Sequence, residues 1–300
     1  MAASAEKQKF LLYGKSGWIG GILQELIKAN GDEVVLGSAR LENREHVIRE
    51  IEEHKPTRVL NAAGVTGRPN VDWCESNRQT VIRTNVVGCL NLADICWLKG
   101  IHCTLYATGC IFEYDDVHRV GSGIGFTEED VANFDGSYYS KTKGWVEQML
   151  REYEDQLAVL RVRMPISDDL TARNFVTKIT KYEKVVNIPN SMTVLSDLLP
   201  VSLEISRREL KGIYNFCNPG AISHNEILDM YKEYVDPDFT YTNFTVEEQD
   251  KILKARRSNN ELDCSKLVKA LPDLTILEIH DAMRERFFGS LLSSSSSSSS

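Results

Sequence analysis

The chain has 300 residues, 42% hydrophobic and 26% charged, the balance of a globular protein and not of a disordered one. Lys and Arg number 35 against 43 Asp and Glu, a net charge of −8, which speaks against nonspecific nucleic-acid binding and against anionic membrane surfaces, both of which select basic faces. A phosphorylated small ligand stays compatible, because helix termini and a few local cations bind phosphate inside an acidic protein.

Lys9-Phe-Leu-Leu-Tyr13 reads as a first strand, and Ile19, Ile22, Leu23, Leu26 and Ile27 recur behind it at helical spacing. Glu33–Leu36 reads as a second strand, residues 46–54 as a helix, and Arg58-Val-Leu60 as a third strand. A helix is expected over 81–98, a strand over 102–107, a helix over 138–153 and a strand over 158–162. This alternation predicts an α/β, Rossmann-like parallel sheet with helices on both faces. The expected division is a dinucleotide-binding domain over 1–165 and a smaller, mainly substrate-binding lobe over 166–292, with a strand near 212–216 returning to the sheet. The acidic run Phe126-Thr-Glu-Glu-Asp130 is expected to be a solvated loop, and Val246 to Arg257 a surface helix. Residues 293–300 are all serine and are expected to be a disordered tail.

No run approaches the roughly 20 apolar residues needed to cross a bilayer, and the polar start lacks a signal-type hydrophobic region, so neither a membrane partner nor secretion is expected. The seven cysteines, Cys74, Cys89, Cys96, Cys103, Cys110, Cys217 and Cys264, are odd in number and contain no CxxC pair. They fit reduced thiols in a cytoplasmic protein better than a disulfide framework. The six histidines show no metal-ligand spacing, so no metal is expected.

Gly14-Lys15-Ser16-Gly17-Trp18-Ile19-Gly20 stands between the first strand and its helix. A turn there must bring backbone N–H groups close to a ligand; glycines permit positive φ and close approach, and the helix N-terminus favours a pyrophosphate. Gly14, Ser16, Gly17, Trp18, Ile19 and Gly20 are therefore candidate dinucleotide contacts. An acid at the end of the second strand would accept from a ribose 2′-OH, whereas a cation accommodates a 2′-phosphate. Leu36-Gly-Ser-Ala-Arg40 holds no acid before Glu42, which favours NADPH over NADH, with Arg40 and Ser38 as phosphate contacts.

Tyr139-Ser-Lys-Thr-Lys143 places a phenol and an ammonium four residues apart, on one face of the expected helix. The ammonium stabilises phenolate and so makes the phenol a usable proton donor. Tyr138 lacks a partner lysine, since position 142 is Thr. Thr108 and Cys110 follow the fourth strand, where carboxyl ends face the ligand crevice of a parallel sheet.

The GxxGxxG turn, Asn61-Ala-Ala-Gly64 and Thr84-Asn85-Val-Val-Gly88 resemble the extended short-chain dehydrogenase/reductase family. The resemblance implies cofactor contacts at Asn61, Ala62, Ala63 and Asn85. It also implies a catalytic set of Tyr139, Lys143 and Thr108, the last hydrogen-bonding the substrate carbonyl. Cys110 departs from the dTDP-4-dehydrorhamnose reductase group and is similar to the nucleotide-sugar epimerase/reductases, in which a thiol acts as acid/base beside a ketone. Lys178 stands where the GDP-fucose synthases carry a histidine and resembles the lysine of the plant UDP-rhamnose enzymes.

Gly64 to Cys74 strongly resembles the substrate loop of the UDP-4-keto-6-deoxyglucose 3,5-epimerase/4-reductases, which implies substrate contacts at Thr66, Arg68, Asn70, Asp72 and Trp73. Asn174 joins them. Arg256 to Asp263 resembles that group's late nucleotide-contacting stretch, implying Arg257 and Asn259, with the choice between Arg256 and Arg257 open. The implied reaction is NADPH-dependent conversion of UDP-4-keto-6-deoxy-D-glucose to UDP-β-L-rhamnose. Cys110 and Lys178 would exchange protons at C5 and C3, and an upstream nucleotide-sugar 4,6-dehydratase would supply the substrate. A homodimer is compatible with the family. The alternatives are a reductase alone, or a non-catalytic NADP-binding regulatory subunit like that of methionine adenosyltransferase.

Overall fold

The computed structural model describes residues 7–297 except Pro69. The chain forms two compact units, each assembled from three stretches: 1–107, 141–160 and 199–213 in the first, and 108–140, 161–198 and 214–300 in the second. The sequence reading expects one cut near 165. The observed division is discontinuous because several strands and helices run from one unit into the other.

Most of the sheet lies in the first unit. Strands β1 (Lys9–Tyr13), β2 (Glu33–Leu36), β3 (Arg58–Asn61), β4 (His102–Thr108), β5 (Leu157–Val162) and β7 (Gly212–Phe216) lie in the order β2-β1-β3-β4-β5-β7. β1 pairs in parallel with β2 and β3, and β3 with β4. Every residue of β5 and β7 is buried, the continuous apolar run expected of strands covered on both faces. Gly212–Phe216 returns to the sheet beside β5, as the sequence reading expects.

Helix α1 (Trp18–Ala29) buries Leu23 and Ile27 and is followed by Gly31 at φ +79°. Helix α2 (Arg44–His54) starts two residues earlier than expected because the Asn43 side chain accepts from the His46 N–H, an N-cap. Helix α3 (Arg78–Lys99) is long and apolar enough to cross a membrane by length and composition alone. Its Cys89, Leu92, Ala93, Ile95 and Cys96 are spent in the core of this unit, against Leu11, Val59 and Leu105. Helix α4 (Tyr138–Leu150) is shorter than expected, its last turn tightening to a 3₁₀ helix over Arg151–Tyr153.

The second unit has its own core, in which Ile166, Val176, Met192, Val194 and Ile222 pack with Phe287 and Phe288. Two short strands, β6 (Lys184–Val185) and β8 (Thr242–Asn243), pair beside it. The run at 126–130 is not the solvated loop expected: Phe126 and Glu128 are buried. Phe126 stacks between Phe112 and His118, and the Glu128 carboxylate accepts the Asn215 N–H at 2.8 Å. Alternation of charge with one aromatic hid a segment that the structure uses as packing. The expected surface helix is realised over Val246–Ile252 only. The expected disorder of 293–300 is replaced, as far as Ser297, by continuation of a helix over Gly289–Ser297. The Ser293 hydroxyl there bonds back to the Gly289 and Ser290 carbonyls. Residues 298–300 lie outside the described residues.

His224 opens the helix His224–Tyr234 behind a Ser223/Glu226 capping box. Burial, with Arg163 as the second cause, pushes its imidazole down to about 4. An unfolded histidine titrates near 6.5, so the unfolded chain binds this proton first as pH falls. The stability that His224 contributes is complete above pH 6.5 and is lost as pH falls toward 4, by about 3 kcal/mol at most. In urea denaturation at pH 7 and pH 4.5, His224→Gln is expected to lose less stability between the two than the unaltered protein does.

Candidate active site

The sheet order reverses at β1, whose neighbours β2 and β3 lie on opposite sides. Such a reversal opens a crevice at the carboxyl ends of the two strands it separates. Both expected dinucleotide segments stand there: Gly14 after β1 and Ala62-Ala63 after β3. Gly14 has φ +87°, and a Cβ on it would stand 2.4 Å from the Ala62 carbonyl carbon. A Cβ on Gly20 would stand 2.2 Å from the Gly14 carbonyl oxygen. Only glycines let turn, strand and helix approach this closely.

Gly17 is the N-cap of α1 and donates to the Gly14 carbonyl at 2.8 Å. No side chain caps α1, and no acid stands in its first turn, which leaves its amide end suited to an anion. Ser16 is exposed, and Trp18 and Ile19 are half-buried in that turn. These features fit the pyrophosphate of a dinucleotide.

The end of β2 differs from the sequence reading. Arg40 is exposed, as a phosphate contact requires, but Ser38 is occupied. Glu50 of α2 accepts the Ser38 N–H at 2.7 Å, the Ala39 N–H at 3.1 Å and the Ser38 hydroxyl. Burial raises the Glu50 carboxyl, yet these hydrogen bonds outweigh it and hold it below the ordinary range. The same carboxylate, after burial, helps push the Tyr13 phenol up. An acid does serve this strand end, then, but it arrives from the next helix, where strand-end spacing cannot reveal it.

Two asparagines expected at the cofactor also build the turns beside it. The buried Asn61 side chain accepts from the Ala63 N–H at 3.0 Å. Asn85, in the π-helical turn Ile82–Val87 of α3, accepts the Val65 N–H at 2.9 Å and donates to the Val65 carbonyl at 2.8 Å. In the expected substrate loop, Thr66, Arg68 and Asn70 are exposed, and Asp72 and Trp73 half-buried. Gly67, at φ +80°, brings the chain so close that a Cβ would stand 2.5 Å from the Asn70 carbonyl oxygen. Asn70 caps the bend by accepting the Asp72 N–H at 2.9 Å.

One helix, α4, carries both Tyr139 and Lys143. The Ser137 hydroxyl accepts the Ser140 N–H at 3.0 Å and so fixes the first turn, where Tyr139 is buried. Burial lowers the Lys143 ammonium, while Cys89 and Glu147 pull it back toward its ordinary value.

The remaining expected residues lie in the second unit. Thr108, at the end of β4, accepts the Cys110 N–H at 3.1 Å. Cys110 is half-buried, whereas the other six cysteines are buried. The sequence reading passed over Arg163, which is fully buried and donates to the Cys110 sulfur at 3.3 Å. Its position directly after the buried strand β5 is the available signal, since an arginine carried into the interior demands partners.

Lys178 is exposed on the short helix Phe175–Ile179; burial of part of its side chain, then Arg173, lowers its ammonium. Asn174, expected to touch substrate, is instead fully buried and caps that helix, accepting the Val176 N–H at 3.0 Å. Arg256 pairs with Glu113 at 2.7 Å and Asp250 at 3.6 Å, while half-buried Arg257 donates to the Ala255 carbonyl at 2.7 Å. Asn259 accepts from the Asn190 amide at 3.0 Å. Among the described residues, no group of His, Cys, Asp and Glu could hold a metal ion.

Residues 8–272 match the model of the RmlD substrate binding domain family, and the chain belongs to that family. A bifunctional dTDP-4-dehydrorhamnose 3,5-epimerase/dTDP-4-dehydrorhamnose reductase of Arabidopsis thaliana is 60% identical over 273 residues, covering 91% of this chain and 90% of that protein. A trifunctional UDP-glucose 4,6-dehydratase/UDP-4-keto-6-deoxy-D-glucose 3,5-epimerase/UDP-4-keto-L-rhamnose-reductase of the same plant is 57% identical over 282 residues. The match covers 94% of this chain but only 42% of that protein. The crystal structure of a UDP-rhamnose synthase from Acanthamoeba polyphaga mimivirus superposes with a TM-score of 0.88 at 39% identity, covering 93% of this chain and 98% of that one. A dTDP-4-dehydrorhamnose reductase from Bacillus anthracis in complex with NADP, at 20% identity and a TM-score of 0.78 over 95% of this chain and 99% of that one, shares the fold.

The glycine turn can be tested by an adjacent pair of substitutions. A methyl group at Gly20 meets backbone at 2.2 Å, whereas one at Gly21 meets nothing within 4 Å. Gly20→Ala is expected to cost about 1–3 kcal/mol in urea denaturation by overpacking, and Gly21→Ala to be neutral or to stabilise α1 by up to ~1 kcal/mol.

Proposed function

We propose that the chain is an NADPH-dependent reductase of a 4-keto-6-deoxy nucleotide sugar with 3,5-epimerase activity in the same polypeptide, turning UDP-4-keto-6-deoxy-D-glucose into UDP-β-L-rhamnose. The observation that carries this reading is Cys110. It is the one cysteine not closed off in a core, it directly follows the strand that ends in Thr108, and a pure reductase has no use for it. The bifunctional relative, matched over nearly its whole length, supports the same reading.

The turn at Gly14–Gly20 and the exposed Arg40 would hold the dinucleotide, which when bound supplies hydride to C4 of the sugar. Thr108 orients the C4 carbonyl by a hydrogen bond. Tyr139 gives a proton to the C4 oxygen, and Lys143, four residues on, holds the phenol's charge in check. Before reduction, the C4 carbonyl acidifies the hydrogens at C3 and C5. Cys110 and Lys178 exchange them from opposite faces, inverting both centres. Arg257 takes the nucleotide diphosphate, and Arg256 pairs with Glu113 and Asp250. The substrate itself requires a 4,6-dehydratase acting upstream. A homodimer belongs to the same reading.

In buffered heavy water, with substrate generated by a dehydratase, NADPH oxidation should yield UDP-rhamnose carrying deuterium at C3 and C5. Cys110→Ser should lose turnover of this substrate and keep reduction of an already epimerised 4-keto-L-sugar nucleotide. Tyr139→Phe should lose reduction of both by about 10²–10⁴-fold. A protiated, unepimerised product would overturn the epimerase half, and faster turnover of the dTDP sugar would reassign the base. Absence of NADPH oxidation with either sugar, together with a copurifying stoichiometric partner, would favour a regulatory subunit.

A further inference from the structure

The Arg163 guanidinium is fully buried, and its side-chain hydrogen-bond partners are neutral groups. Nη1 donates to the Ser258 hydroxyl at 2.9 Å and to the Cys110 sulfur at 3.3 Å. Nη2 donates to the Asn190 side-chain oxygen and, at 3.2 Å, to the Ser258 carbonyl. Nε has no hydrogen-bond partner, and among the described residues Arg163 forms no ion pair. A buried cation without an anion is costly, and of its partners only the thiol can become an anion at moderate pH.

The loop is shaped for this contact. A Cβ on Gly109 would stand 2.9 Å from Arg163 Cγ and 2.6 Å from Leu262 Cδ1, so glycine is what lets the arginine stem pass beneath Cys110. The Asn260 amide ties down the Gly109 and Phe112 carbonyls at 3.1 and 2.9 Å, and the Ser258 hydroxyl donates to the Phe112 carbonyl at 2.6 Å.

We propose that Arg163 is the positioning residue that makes Cys110 a base, its guanidinium serving as the built-in counter-ion of the Cys110 thiolate. This rests on the epimerase reading given above. In the step, the thiolate takes a proton from a ring carbon beside the C4 carbonyl. The C–H bond breaks, the S–H bond forms, and the electron pair moves into a C=C bond while C4–O becomes an enolate. A proton returned to the opposite face by a second acid restores the ketone with the centre inverted. Arg163 keeps its proton throughout.

The test needs no substrate. Iodoacetamide is allowed to react between pH 7 and pH 10, and modification at Cys110 is followed by mass spectrometry, the other six thiols being buried. The titratable groups facing Arg163 stay constant in this window. His224 is down at about 4, and burial, then Glu261, pushes Tyr114 up to about 12 against the pull of Arg163. Glu261, itself raised by burial and Asp263, is the acid that acts on Tyr114.

At pH 7, Cys110 is expected to react about tenfold faster than glutathione, Arg163→Gln to lose about that tenfold, and Arg163→Lys to regain part of it. All forms should converge at pH 10, a pattern that a merely structural defect would not produce. Equal pH profiles in the unaltered protein and in Arg163→Gln would overturn the proposal. If Arg163→Gln does not fold, a profile of the unaltered protein that matches glutathione would overturn it equally. The expected alkylation pattern with no deuterium uptake by any 4-keto sugar would uphold the Arg163–Cys110 pair and sink the epimerase reading alone.

Discussion

A guanidinium removed from water calls for hydrogen bonds to its N–H groups, and in the second unit the demand of the two Nη groups of Arg163 draws three distant stretches to it. Asn190, Ser258 and the loop after β4 supply its partners. Asn190 in turn accepts the Asn260 N–H at 3.0 Å and donates to Asn259. Ser258 and Asn260 fasten the carbonyls of the loop that presents Cys110. The result is a polar network centred on buried Arg163, Asn190, Ser258 and Asn260, which specifies one arrangement because any slippage strands a charge. The thiol inherits its position from that network more than from its own contacts.

In the first unit the governing constraint is steric instead. β1 is the strand at which the sheet order turns, and the glycines after it let α1 begin against the Ala62 carbonyl with its amide end uncapped by any side chain. The surrounding asparagines serve the same geometry. Asn61 and Asn85 close the turns that follow β3 by bonding backbone groups of Ala63 and Val65. The proposed anion site is thus built from backbone, and side chains hold the backbone in place.

The strands and helices of the first unit were legible because buried parallel strands and amphipathic helices write themselves as apolar runs and as 3.6-residue spacing. Differences there lie at helix ends, where caps decide, with Asn43 at the start of α2 and a 3₁₀ turn after Leu150, and in the helices Trp73–Ser76 and Leu195–Arg207, which the spacing does not predict. The Tyr139/Lys143 pair was legible for the same reason, since a four-residue spacing on a helix fixes a shared face. What stayed hidden depends on contacts far apart in sequence. Glu50 reaches the end of β2 from α2, Arg163 reaches Cys110 across 53 positions, and Asn174 shows itself as a cap only once residues 167–169 fold back on it. The Ser-Asn-Asn of 258–260 reads as a ligand-contacting motif, yet much of its polarity is turned toward Arg163 and the 109–112 loop.

Lys143 and Arg163 differ in a way that suits the two proposed steps. Burial lowers the Lys143 ammonium, against the pull of Cys89 and Glu147, and the lysine shares a helix face with the Tyr139 phenol. In the proposed reduction the phenol releases a proton and regains it every turnover, and a nearby ammonium responds to that change of charge. A guanidinium offers no such compliance, because it does not release its proton under conditions in which proteins fold. Beside a thiol proposed to gather a proton from carbon, this rigidity is the advantage. The counter-charge stays fixed while the sulfur cycles, and the arginine's planar fork serves Cys110, Ser258 and Asn190 at once. A lysine at 163 would bring one compact charge with no fixed fork, and would leave either the sulfur or the network around Asn190 and Ser258 short of a donor.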